Sequence, residues 1–180
     1  MRKLKTLELD RLSPNEFKSI EKTPIVLILD NVRSGLNVGS AFRTADAFAL
    51  QSILLCGITA TPPHREILKT AIGASATVDW TYFERVEEAV AHCKELGMSV
   101  FAIEQTDHSV ALDEFVLPEN KNGFALVFGN EVNGVSDVIL PEIDGAIEIR
   151  QFGTKHSLNV SVSLGILVWE FWRQMRGGDF

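Results

Sequence analysis

Continuous apolar runs of strand length, separated by stretches of helical period, constrain this chain more than any other feature of its sequence. Residues 25–29 read IVLIL, preceded by Pro24 and followed by turn residues, which predicts a buried strand. The pattern then predicts a helix over 39–49, a strand over 52–56, a short helix over 65–71 and an extended stretch over 77–83. An amphipathic helix over 84–96 ends at Gly97, strands follow at 99–104, 124–128 and 146–150, and a long helix covers 158–175. Strands with one wet face alternate apolar and polar residues, whereas these runs are continuous. The expected fold is therefore α/β, a mostly parallel sheet covered by helices on both faces. Ahead of it, Ser13-Pro14-Asn15-Glu16 reads as a helix start, with Ser13 as cap, Pro14 at the first helical position and Glu16 closing a capping box. The division expected is a short helical extension over 1–23 and one domain over 24–180.

A sheet of this kind presents its ligand site at the carboxyl ends of the strands. The loops there are 30–39, 105–109, 129–136 and 151–157, and three of the four are rich in Gly, Asn and Ser. None carries a standard nucleotide fingerprint. No GxGxxG follows a strand, and GNEVNG at 129–134 lacks the Lys-Ser/Thr of a phosphate loop. HExxH and paired CxxC are also absent, so no metal site is expected.

With 46% apolar and 23% charged residues the chain can bury a substantial core. Its apolar runs, such as 25–29 and 165–169, are too short to span a membrane, and the N-terminus mixes both charge signs without the apolar stretch of a secretory signal. Cys56 and Cys93 stand well apart and read as reduced, buried thiols of a cytoplasmic protein. The net charge of −7 opposes a polyanionic partner, but its distribution is uneven. Residues 1–33 hold seven Lys/Arg against five Asp/Glu and residues 150–180 hold four against two, while 34–149 holds six against seventeen.

Three constellations carry the chemistry. The first runs from Asn31 through Asn37, Gly39 and Arg43 to Asp46. Gly35 and Gly39 permit sharp turning and close approach. Arg43 offers a planar fork of donors near the start of its helix, or pairs with Asp46 or Asp30 on the surface. The second runs from Phe124 through Gly129, Asn130 and Glu131 to Ser136, and sets backbone groups beside a cleft. Glu131, its only charge, is alternatively a carboxylate stabilised at a helix N-terminus. The third runs from Ile147 through Gly153, Ser157 and Asn159 to Gly165. Ser157 and Asn159 stand where a helix cap is the plain explanation. His156 is a candidate base or simply a solvated side chain. The helix beyond is apolar almost all round, which suits burial against the sheet and a second subunit.

In order and spacing these segments closely resemble the SpoU/TrmH family of RNA ribose 2′-O-methyltransferases, within the SPOUT superfamily. The matching motifs are N-x5-N-x-G-x3-R-T-A-D-A-F, L-V-F-G-N-E-V-x-G-V and I-x-I-x-Q-x-G-x3-S-L-N-V-S-V, and the likeness covers nearly all of 24–172. The resemblance implies a C-terminal deep trefoil knot that binds S-adenosylmethionine, and a homodimer with RNA bound across its interface. Carried onto matching positions, Asn37, Arg43, Glu131, Ser157 and Asn159 form the catalytic pocket. The loops at Gly129, Ile149 and Leu158 hold the cofactor largely through backbone groups, and Thr106 lines the same pocket. The family commonly has proline where this chain has Arg150, which leaves the knot loop looser or adds a cation near cofactor or RNA. The short extension before Pro24, the helix ending near Arg173 and Arg176, and the lack of a separate N-terminal RNA-binding domain resemble members acting on tRNA. An rRNA substrate is the alternative, and a non-catalytic RNA-binding homologue or a base methyltransferase are the rivals.

Overall fold

The structure, a computed structural model, describes residues 1–5 and 8–177; the last three positions of the expected domain, 178–180, lie outside the described residues. Among the described residues, seven strands form one sheet: β1 (Thr23–Asp30), β2 (Leu50–Cys56), β3 (Trp80–Phe83), β4 (Ser99–Ile103), β5 (Val110–Ala111), β6 (Phe124–Phe128) and β7 (Gly145–Glu148). Their order is β3-β2-β1-β6-β4-β7-β5, and every pairing is parallel. The helices are α1 (Pro14–Ser19), α2 (Gly35–Ala47), α3 (Arg65–Ala71), α4 (Val86–Glu95) and α5 (Val160–Met175).

The continuous apolar runs follow from burial on both faces. Along β1, Ile25, Leu27 and Leu29 join the core beneath α2, α3 and α5, where Phe42, Ile67 and Phe171 are fully buried. Val26 and Ile28 point the other way, into a second core with Val90 and Cys93 of α4. A one-residue slip would exchange the two sets, so the register, with Leu27 opposite both Ile53 and Leu126, is fixed from both sides. α5 is fastened to the sheet by aromatic rings. Phe171 lies 5.6 Å from Phe124 and from Phe115, and 6.2 Å from Phe101.

Most element boundaries agree with the sequence reading, and the exceptions have local causes. The capping box forms at α1 as expected, with Glu16 N donating to Ser13 Oγ and Ser13 N to Glu16 Oε2. The helix expected at 39–49 starts four residues earlier, because Ser34 caps it by accepting from Asn37 N at 3.3 Å. Arg43 therefore stands in mid-helix rather than near the start. The last strand ends at Glu148, which frees Ile149 and Arg150 from the sheet. The two-residue β5 had no period to betray it.

α2 packs closely on α3 because Gly39 has no side chain. A Cβ there would lie 2.5 Å from the Ile67 carbonyl oxygen and collide with the Thr70 hydroxyl. Backbone cannot yield as a flexible side chain can, so α3 would be pushed outward. Gly39→Ala is expected to lower unfolding stability by about 1–3 kcal/mol, the range for overpacked cores; urea unfolding followed by circular dichroism at pH 7 measures it.

Candidate active site

A cavity of about 690 Å³ opens at the carboxyl ends of the strands. The segment after β4 contributes Glu104 and Thr106, the loop after β6 Gly129 to Val135, and the chain after β7 Ile149, Gln151 and Ser157 to Val160. Seven of the nine positions expected in the site therefore line one cavity: Thr106, Gly129, Glu131, Ile149, Ser157, Leu158 and Asn159.

The loop after β6 is held by its neighbours on both sides. Asn130 and Gly134 exchange backbone hydrogen bonds at 2.9 Å, closing a tight turn, and a Cβ at Gly129 would run into the backbone of Gly134 and Val135. Asn130 Oδ1 accepts from Val132 N and Asn133 N, while its Nδ2 donates to the Asn31 carbonyl at 2.8 Å. From β1, the fully buried Asp30 accepts from Ser136 N at 2.7 Å and from Asn31 Nδ2 at 2.8 Å. Just past β4, Glu104 accepts from Val135 N at 3.0 Å and from Gln105 N at 2.9 Å. These two carboxylates were not singled out for this work by sequence. The available signal was an acid closing an otherwise apolar strand, where burial requires a partner.

At the rim of the cavity the three motifs are joined by one hydrogen-bonded chain. Glu131 accepts from Arg33 N at 2.9 Å, from Ser34 N at 3.0 Å and from Asn37 Nδ2 at 2.9 Å. Asn159 Nδ2 in turn donates to Asn37 Oδ1 at 3.2 Å, and its Oδ1 caps α5 by accepting from Ser161 N at 2.9 Å. Both plain readings are thus correct in part. Glu131 does serve a helix N-terminus, that of α2 rather than of its own segment, and Asn159 is a cap that also reaches the Asn37 amide.

Arg43 is placed differently. It is exposed and lines a separate hollow beside Lys69, away from the Glu131 cavity, and neither Asp46 nor Asp30 pairs with it. His156 is exposed, and its carbonyl rather than its imidazole is engaged, by Gln105 and Gln151. Arg150 binds Asp113 Oδ2 at 2.8 Å and Glu114 Oε1 at 2.5 Å, and so ties its loop to the segment after β5. Burial pushes the Cys56 thiol up to about 12 and that of Cys93 to about 11, which leaves neither as a thiolate nucleophile at neutral pH.

Desolvation opposes ionisation of Glu131, but the donors from Arg33, its own amide, Asn37 and Ser34 outweigh it and hold the carboxyl below its ordinary value of 4.5. A group lowered on folding stabilises the native state fully above its unfolded value. That contribution is lost as pH falls through the native value. The stability gap between wild type and Glu131→Gln is expected to be widest at neutral pH and to close on acidification below 4.5. Urea midpoints measured across that range test it, and a gap independent of pH would refute the charge-based role.

The sequence model of the SpoU rRNA methylase family matches residues 24–169, and the chain belongs to that family. It is 29% identical over 158 residues to the 23S rRNA (guanosine-2′-O-)-methyltransferase RlmB of Neisseria meningitidis, covering 88% of this chain and 62% of that relative. Its structure is similar to that of a TrmH/SpoU tRNA modifying enzyme from A. aeolicus, with a TM-score of 0.78 and 25% identity over 92% of this chain and 82% of that one. It is similar also to an AdoMet-bound rRNA methyltransferase from Sinorhizobium meliloti, with a TM-score of 0.76 and 26% identity over 92% of this chain and 61% of that one. The chain thus spans about three fifths of the length of the two rRNA-directed relatives.

Proposed function

We propose that the protein transfers a methyl group from S-adenosylmethionine to a ribose 2′-hydroxyl of RNA, with tRNA as its substrate. The observation that carries this reading is the Glu131–Asn37–Asn159 hydrogen-bonded chain, which brings all three family motifs together at the rim of one cavity. The cavity fits the cofactor. Its volume of about 690 Å³ is within the range of small-molecule sites, and it sets Leu140, Ile147 and Leu158 beside the backbone groups of Gly129 and Ile149. Those residues suit an adenine ring flanked by polar atoms. When bound, S-adenosylmethionine supplies an electrophilic methyl group on a sulfonium.

The chain's own residues then have to position a hydroxyl in line with that methyl, since alignment supplies much of the rate. Glu131 and Asn159 orient the Asn37 amide, and Ser157 adds a hydroxyl to the cavity wall. Arg43 stabilises the developing alkoxide and grips the adjacent phosphate. A guanidinium keeps its proton and is a poor free base, so phosphate or water accepts the proton.

Arg43 does not face the cavity of its own chain, which supports a homodimer in which each Arg43 serves the other protomer's site. The exposed face of α5 supports the same assembly. Val162, Ile166 and Trp169 are 49%, 38% and 47% exposed and surround a hollow of about 910 Å³ with Phe152, which is 94% exposed. A C-terminal trefoil knot is part of this reading, supported by the placement of β7 between β4 and the earlier β5 and by the return of α5 onto Phe101 and Phe124. The choice of tRNA is supported by the greater share of the A. aeolicus tRNA enzyme that the chain matches. The N. meningitidis relative, whose name specifies 23S rRNA, favours the second reading, an rRNA substrate. The free, buried Cys56 and Cys93 support a cytoplasmic setting.

Incubation with labelled S-adenosylmethionine and separate pools of unmodified tRNA and rRNA, followed by nucleoside mass spectrometry, is expected to yield a 2′-O-methylnucleoside from the tRNA pool. Label confined to rRNA selects the second reading, and a methylated base refutes ribose chemistry. Arg43→Lys is expected to lower kcat by about 10²-fold, as for loss of a donor to a developing oxyanion. Val162→Asp with Ile166→Asp is expected to give monomers in analytical ultracentrifugation and to abolish transfer; an active monomer would remove the need for a partner.

A further inference from the structure

The acidic stretch 34–149 holds only six cations, and three of them, Arg43, Arg65 and Lys69, belong to α2 and α3. Of the others, Arg85 pairs with Glu88 and Lys94 with Asp144, while Lys121 precedes the central strand β6, at the amino ends of the strands. Arg43 and Lys69 line one open hollow of about 440 Å³ between the two helices, with Phe48 at its side. Arg65 stands four residues before Lys69, about one turn away on the same face of α3.

No ion pair engages Arg43, Arg65 or Lys69 among the described residues. The nearby acids are turned to other tasks. Asp46 accepts from the Thr77 hydroxyl at 2.9 Å, and the Glu66 carboxylate lies over Gly35, 2.9 Å from where a Cβ would stand. The hydroxyls of Ser40 and Thr70 both donate to the Leu36 carbonyl at 2.9 Å, which leaves the two cations and Thr44 as the side-chain donors of the hollow. Its walls are also fixed. Gly39 seats α3 against α2, and Phe48 packs 5.7 Å from Trp172 and 6.2 Å from Trp169 of α5. Two like charges therefore share one hollow, with a third about one turn away along α3, in a chain of net charge −7 whose neighbouring carboxylates are directed elsewhere. The counter-charge comes from outside. An open hollow beside a second cation one turn away suits a phosphodiester strand passing across it better than a small enclosed anion.

We infer that Lys69 and Arg65 are phosphate-positioning residues for the RNA strand, holding the nucleotides that flank the ribose served by Arg43. This deepens the ribose-methylation reading and rests on it. Neither side chain touches the reacting atoms; each contributes uniform binding to the backbone, independent of base sequence.

Binding of an unmodified tRNA transcript, titrated by fluorescence anisotropy over a range of salt concentrations, tests the inference. For Lys69→Gln the log–log salt slope is expected to shrink by about 0.9, and roughly twice that for Arg65→Gln with Lys69→Gln, one lost phosphate contact each. With these variants KM for RNA rises while kcat and cofactor binding stay at wild-type values. Lys121→Gln, the same charge change before the amino end of β6, should leave the slope unaltered. The inference is overturned if the double variant keeps the wild-type slope, if Lys121→Gln shifts it equally, or if calorimetry shows inorganic phosphate bound at Lys69 while the RNA slope is unchanged. A wild-type protein that shows the expected slopes but transfers no methyl group would instead sink the methyltransferase reading and leave the phosphate track standing.

Discussion

The structure turns on the carboxylate of Glu131. The start of an α-helix leaves backbone N–H groups without intrahelical acceptors, and α2 has no acidic residue in its own first turn to meet them. Glu131 comes from a loop almost a hundred residues later and takes up the N–H groups of Arg33 and Ser34 together with the Asn37 amide. This is possible because β6 pairs directly with β1, so the two strands end side by side. The same contact sets the rim of the cavity, the start of α2 and, through Asn37 and Asn159, the start of α5. One charge thus orders the chain leading into α2, which Ser34 caps, and joins three distant motifs.

Around that point the loops are kept rigid by carboxylates that receive backbone donors rather than by ion pairs. Asp30, Glu104 and Glu131 each accept from main-chain N–H groups in or beside the loop after β6. Backbone groups held in this way cannot drift, and a site that recognises its ligand through main-chain atoms requires such fixity. Outside the cavity, the ion pairs of Arg150 with Asp113 and Glu114 restrain the loop after β7. An acidic composition is thus partly explained by structural work.

The remaining charge is sorted by the packing of α2 on α3. Gly39 lets the helices approach until Thr70 and the Ile67 carbonyl fill the space of a side chain, and that approach places Lys69 beside Arg43. α5 closes the other side with its tryptophans against Phe48 while leaving an apolar outer face exposed. An acidic protein can hold a polyanion when its few cations are gathered on one rigid surface, since contacts at short range outweigh the weaker, screened field of the whole molecule.

The sequence by itself determined the sheet, because a run such as 25–29 can be apolar throughout only if both faces are covered, and residues on the two sides of β1 enter separate cores. It also marked the loops of the site, since Gly129, Asn130 and Asn159 are residue types that turns and caps demand. The start of α2 lies four residues before the one its apolar period suggests, because Ser34 caps the helix ahead of that pattern. What sequence could not supply was direction and pairing. Spacing put Arg43 with Asn37 in one motif, yet six residues along a helix turn a side chain well away from its predecessor, and Arg43 faces Lys69 instead. The partners of Asp30, Glu104 and Glu131 are all backbone groups brought close by strand order, and strand order is set by how helices pack across the sheet. Only the tertiary structure decided those contacts, because hydrogen bonds to the main chain leave no trace in the identity of the residue that donates them.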